Sequence, residues 1–166
     1  MPKLTTLHDL FAEQIVDLYS AEQQILKAIP KMIKKAVHEE VAEAFNLHFE
    51  QTQVQVTRLE EVCENLDIKL KRKVCKGMEG IIEEAKEHME EEVSDELTDL
   101  VLISLAQRVE HYEIAGYGTA VTYAKVMGHD TEADLLETTL DEEGETDKIL
   151  TKLAKKLYRD VPFMEE

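Results

Sequence analysis

Glu110 and Glu113 stand three residues apart in the run 106–115, so a helix would carry both on one face. Continued in both directions, that face reads Ile103, Ala106, Glu110, Glu113, Tyr117, Ala120, Ala124, with steps of three and four. This is the period of a helix packed on other helices, with two acids where apolar residues belong. A carboxylate in a dry interior costs several kcal/mol unless it pairs, takes up a proton or binds a cation. The elements facing this pair therefore decide its chemistry.

The same interruption recurs elsewhere. A first helix over about 7–37 has the stripe Phe11, Ile15, Leu18, Glu22, Ile25, Ile29, in which Glu22 replaces a core residue. Pro30 should kink this helix near its end, and the break near His38 contains no glycine. A second helix over about 39–67 has the stripe Val41, Phe45, Phe49, Thr52, Val56, Leu59, Cys63, with His48 at its edge and Gln55 beside it. If the chain turns near residue 38, Glu22 should face residues 52–55. A polar connection over 69–76 leads to a shorter amphipathic crossover with Met78, Ile81, Ile82, Ala85 and Met89 on one face. That face must be covered, in part by a second copy of the chain.

The helix carrying Glu110 should span about 95–127, with Ser94 or Asp95 as its N-cap and Gly128 as its stop. The last long helix follows Asp130 and reaches about 158, with the stripe Leu136, Leu140, Glu143, Asp147, Leu150, Ala154, Leu157. Glu113 lies 15 residues before Gly128 and Glu143 lies 15 after it, so the two should meet across the hairpin. By the same register Glu110 comes level with Thr146 and Asp147.

Glu22, Glu110, Glu113, Glu143 and Asp147 would together carry −5 if ionised, with His48 nearby. Two divalent cations would supply +4. Carboxylate-bridged di-iron and di-manganese sites in helical bundles use inward Glu residues and Glu-x-x-His pairs in this way. Taken singly, an acid in such a stripe is more often a salt-bridged or partly exposed residue. The case for metal rests on three helices carrying acids, and a fourth carrying His48, at matching depths. His111 lies about 100° round the helix from the pair and reads as a neighbour or a surface group. Tyr112 and Tyr117 read as packing or hydrogen-bonding aromatics, and His8, His38, His88 and His129 receive no role.

The remaining composition fits an all-α chain forming one domain over 1–166, with a peripheral tail after about 159. It has only 6 glycines, 3 prolines and no tryptophan, and no stretch alternates with period two. With 36 acidic against 19 basic residues the net charge is −17, which opposes contact with nucleic acid or an anionic membrane. No apolar run suits a membrane span and no signal peptide is evident, so a cytoplasmic protein is expected. Cys63 and Cys75 lack zinc-site spacing and read as reduced, buried thiols.

Four segments carry a family resemblance: 17–22 (Asp-Leu-Tyr-Ser-Ala-Glu), 78–85 (Met-Glu-Gly-Ile-Ile-Glu-Glu-Ala), 109–119 and 138–143 (Thr-Thr-Leu-Asp-Glu-Glu). They resemble the YciF-like bacterial stress proteins, through about Leu157 and in the same order of elements. The resemblance implies a ferritin-like, rubrerythrin-related four-helix bundle with an extra short helix in its long crossover, and a homodimer. It also implies a stress-response role. Rubrerythrin-like sites take Glu from the first helix, Glu-x-x-His from the second, Glu-x-x-Glu from the third and Glu-x-x-His from the fourth. Glu22, Glu110, Glu113 and Glu143 match that pattern. Thr146 stands where the last His belongs, so Asp147 would have to substitute. YciF-like second helices often read His-x-x-Glu-Thr-x-x-His, whereas this chain has His48, Gln51, Thr52 and Gln55.

The expected metal set is thus Glu22, His48, Glu110, Glu113, Glu143 and Asp147, holding iron or manganese as two ions or one. The chemistry implied is oxidase or peroxide scavenging. The alternative is a non-catalytic helical stress or interaction protein with a degenerate or single-ion site.

Overall fold

A computed structural model describes residues 4–164. Its five α-helices are α1 (Leu7–Lys35), α2 (Glu39–Asn65), α3 (Lys76–Glu90), α4 (Asp95–Val126) and α5 (Asp130–Leu157). A short 3-10 helix, Tyr158–Asp160, follows, and there is no strand among the described residues. α1 packs on α2 and α4 on α5, and the two hairpins join through α1–α4 and α2–α5 contacts. Each long helix therefore touches two others in cyclic order, while α3 lies against α1 and α4.

Local chemistry sets the ends of these helices. Thr6 caps α1 by accepting the Asp9 backbone N–H at 3.1 Å, and Asp9 accepts the Thr6 backbone N–H at 2.9 Å. Gly128 has φ +76°, as the end of α4 requires, while the Gly128 and His129 N–H groups bond back to Lys125 and Ala124. Asp67 closes α2 in the same way at φ 52°, a conformation Asp tolerates better than most residues. Pro30 lies within α1, which runs on to Lys35.

The α1–α2 turn, which lacks glycine, is fixed from another helix. Asp99 of α4 is 1% exposed and accepts the backbone N–H groups of Val37 and His38 at 2.9 and 2.7 Å. The His38 ring Nδ1 lies 2.7 Å from the same carboxylate. His38, given no role from the sequence, thus helps pin the turn to α4.

The apolar interior has two parts. One gathers Ala21, Ile25, Ile29, Phe45, Leu102 and Leu150, among others, toward the α1–α2 turn. The second gathers Phe11, Ile15, Leu18, Leu59, Tyr117 and Leu136 toward the α4–α5 turn. Between them lies a buried polar layer of Glu22, His48, Thr52, Gln55, Glu110, Glu113, Thr139, Glu143 and Thr146.

Two expectations need correction. The buried seam of α5 runs Leu136, Thr139, Glu143, Thr146, Leu150, with Leu140 and Asp147 only half buried. Steps of three, four, three, four fit the groove here. The opposite phase read from the sequence favoured Leu140 for its hydrophobicity and carried Asp147 in with it. Met78 needs no second copy to cover it, because α1 and α4 bury it completely within the chain.

Asp99→Ala should leave the turn's N–H groups without their buried acceptor, at a cost of about 2 kcal/mol. The melting temperature should fall by roughly 5 °C. An unchanged melting curve would show that the turn holds without this anchor.

Candidate metal centre

α4 brings Glu110 and Glu113 inward one turn apart, α5 brings Glu143 and α2 brings His48. One ligand atom from each of these four lies within 4.8 Å of every other. Donors on opposite sides of a first-row ion with bonds near 2.1 Å sit about 4.2 Å apart, so a small inward shift would let all four reach one cation. His48 Nε2 is 3.4 Å from Glu110 Oε1 but is not aligned for a hydrogen bond.

Glu22 is also fully buried, and its Oε1 accepts a hydrogen bond from the Tyr117 hydroxyl at 2.5 Å. It stands outside the group of four. Asp147 stands further out, at the rim. Its carboxylate is 21% exposed, accepts from Gln107 Nε2 at 3.0 Å and lies 3.1 Å from His111 Nε2. The structure thus turns Asp147 toward the outer face of α4, because Thr146 occupies the inward position. His111 is exposed beside it, and Tyr117 is a hydrogen-bonding aromatic, as their positions suggested.

α2 contributes one imidazole and two neutral groups. The Thr52 hydroxyl donates to the His48 carbonyl at 2.8 Å and is thereby occupied. The Gln55 amide donates to Glu143 Oε1 at 2.5 Å and to Glu142 Oε2 at 3.0 Å. Glu142 is gripped in turn by Arg58 through two bonds of 2.7 and 2.8 Å, and Arg58 also donates to Thr139 at 3.1 Å. The sequence reading did not include this Arg58–Glu142–Gln55 support. Its signal was there, since Arg58 follows Gln55 by three residues and Glu142 adjoins Glu143.

Among the described residues, nine buried side-chain atoms have no hydrogen-bond partner, and all belong to this layer: Glu22 Oε2, both His48 nitrogens, Gln55 Oε1, both oxygens of Glu110 and Glu113, and Glu143 Oε2. Buried polar atoms are ordinarily paired, so a cluster of orphaned donors and acceptors of metal-ligand type fits a cation among them.

Protonation follows from burial and mutual repulsion. Burial, then the Glu143 charge, raises Glu22 to about 8. Burial and Glu143 also hold Glu110 and Glu113 well above the usual carboxylate range. Burial pushes Glu143 up as well, but the nearness of Glu110, His48 and Glu113 and the hydrogen bond from Gln55 together hold it below its ordinary value. Burial depresses His48, against the pull of Glu143. Without metal the layer is therefore one carboxylate surrounded by protonated acids.

Comparison with known proteins settles the kinship. Residues 6–161 match a family described as a domain of unknown function, DUF892. The chain belongs to the DUF892 family. It is 43% identical over 152 residues to protein YciF of Escherichia coli (strain K12), covering 91% of this chain and 92% of that one. The crystal structure of the E. coli stress protein YciF superposes with TM-score 0.92 at 42% identity, covering 95% of this chain and 100% of that chain. YcfI from Rhodopseudomonas palustris gives TM-score 0.86 at 38% identity, over 90% of this chain and 95% of that one. A protein from Xanthomonas campestris pv. campestris shares the fold at 20% identity and TM-score 0.74, over 93% and 94% of the two chains. The DUF892 chain is thus a YciF-like helical protein, and none of its described helices is long and apolar enough to cross a membrane.

The protonation pattern sets the sign of the pH dependence. Glu22 ionises near 4.5 when unfolded and near 8 when folded, so its protonated form favours the fold at low pH and that stability is lost as pH rises toward 8. Glu110 and Glu113 act in the same direction. His48, lowered from 6.5, acts oppositely but has finished by that pH, and Glu143, lowered from 4.5, finishes earlier still. Between pH 6.5 and 8 the metal-free protein should lose on the order of 2 kcal/mol, or roughly 5 °C in melting temperature. Differential scanning calorimetry in chelator checks this, and a flat or rising profile would contradict it. Glu113→Gln, neutral at every pH, should raise the metal-free melting temperature at pH 8 by about 3 °C. A lower value in the same calorimetry would show that the Glu113 carboxyl is needed for folding.

Proposed function

We propose that this YciF-like protein is a ferritin-like four-helix bundle, with α3 as its crossover helix, whose buried layer holds iron or manganese. The observation that carries the proposal is the set of nine unpartnered buried atoms concentrated on acids, an imidazole and an amide. His48, Glu110, Glu113 and Glu143 would hold the first ion, and Glu22 stands where it can serve a second. Bound iron(II) or manganese(II) would supply redox chemistry toward oxygen or peroxide, in keeping with a stress-response role.

The protein's own groups shape that chemistry. Glu143 is kept ionised by Gln55, ready to meet a cation, while Glu22, Glu110 and Glu113 must release protons as metal enters. Tyr117 holds one oxygen of Glu22 and so fixes its orientation. The homodimer and cytoplasmic location expected from the sequence belong to the same reading. The Gln55–Glu143 bond and the protonated acids favour a second one, in which the metal-free layer is a finished structure in a non-catalytic stress or interaction protein.

The two readings separate on metal stoichiometry. Protein purified without chelator should contain iron or manganese, with one tight and one weak ion per chain. The weak ion is the one served by Glu22, to which α2 adds only Gln51 and Gln55, both poor ligands. Gln51→Glu with Gln55→His should tighten the second ion about tenfold by competition against a chelating dye. Wild-type protein that binds no metal at micromolar concentrations would establish the non-catalytic reading.

A further inference from the structure

A cleft of about 320 Å³ opens between α1, α3 and α4. Its apolar surface includes Ala28, Met32, Ile82, Leu105 and Val109, and its charged side chains are Lys27 and Lys31 of α1 and Lys86 of α3. No carboxylate lines it, in a chain with 36 acidic residues against 19 basic ones. The lysines that find acidic partners are elsewhere: Lys73, Lys76, Lys125, Lys148 and Lys156. Lys27, Lys31 and Lys86 are exposed and make no ion pair among the described residues. An apolar trough with three unneutralised ammonium groups runs against the acidic balance of the chain.

The trough also leads inward. Ala28, Met32, Ile82 and Val109 are shared with a narrow internal space of about 20 Å³, whose far wall includes Phe45, His48 and Glu110. Its length thus runs from a cationic outer end toward a tapering inner end lined mostly by apolar side chains.

We propose that this cleft binds a free organic monoanion with one unbranched apolar chain, of the medium-chain fatty acid class. The carboxylate sits among Lys27, Lys31 and Lys86, and the chain lies over Ile82, Leu105 and Val109, pointing toward the narrow space. Cleft volumes of this order suit ligands of drug size, with an apolar lining for affinity and a few charged groups for orientation. A free acid fits better than a lipid surface, because a molecule of net charge −17 is repelled by an anionic bilayer while three local lysines still attract a single small anion. The binding step does not depend on the buried acids holding metal.

The test is titration calorimetry of the full chain with decanoate below its micellar range, both as purified and after chelation. A dissociation constant on the order of 10 µM is expected in both preparations. Decyltrimethylammonium, with the same chain and opposite charge, should bind at least about tenfold more weakly, as should decanoate to a Lys27→Glu, Lys31→Glu, Lys86→Glu variant. All three positions are exposed, so the variant should fold, which circular dichroism verifies. Ile82→Trp fills the trough without touching the charges and should also abolish binding. Equal affinity for the cationic analogue, or undiminished binding by the lysine variant, overturns the proposal. So does binding to phosphatidylglycerol vesicles in place of decanoate. If Ile82→Trp instead breaks a dimer seen by light scattering, the occupant is a second copy of the chain and the proposal fails.

Discussion

Four buried glutamates, a buried histidine and a buried glutamine share one layer of this protein, and the packing around them answers to the charge and protons they hold. With every acid ionised, repulsion in a dry interior would be prohibitive. As the side chains are placed, nine of the layer's polar atoms find no hydrogen-bond partner. The two apolar clusters lie on either side of the layer. Long helices and well-packed ends are therefore required by the layer as much as by the fold. They provide the apolar burial that offsets a permanently unfavourable centre.

Glu143 is the pivot of that layer. It touches the neighbourhood of every other ionisable member and is the one acid held below its ordinary range. Its negative charge is a principal reason that Glu22, Glu110 and Glu113 keep their protons. A cation entering beside Glu143 reverses the balance, since the charge that repelled three neighbouring carboxylates is neutralised. Uptake of a cation there would be coupled to proton release, which would tie affinity to pH.

Much of this could be read from the sequence because carboxylates in a core stripe conflict with their surroundings, and conflicts stand out. Glu22, Glu110, Glu113 and Glu143 were found by phase alone, and Gly128 fixed the depth at which two of them meet. Asp147 misled because Thr146 and Asp147 are both polar, so hydrophobicity could not choose between adjacent phases of α5. Asp99 was missed for a related reason. Its buried role depends on the backbone of a turn in another hairpin, and nothing in the residues around position 99 encodes that partner. The Arg58–Glu142 pair reads as ordinary surface charge until α2 and α5 are seen side by side.

Gln55 bears on what the centre has become in this chain. An amide is a weaker ligand than imidazole, so its presence on α2 looks at first like decay of a metal site. The geometry gives it a different task. One NH2 group bridges Glu143 and Glu142, with Arg58 holding the second acid from behind. A neutral imidazole has one N–H and could not make both bonds. Gln55 therefore stabilises an ionised Glu143 whether or not metal is present, and its free Oε1 still faces the buried layer. That support lets the metal-free protein keep a defined centre while one wall contributes little to a second cation. The asymmetry between α2 and the other three long helices thus gives one buried carboxylate its own neutral donor and a guanidinium-held neighbour, so its charge is held by the protein itself.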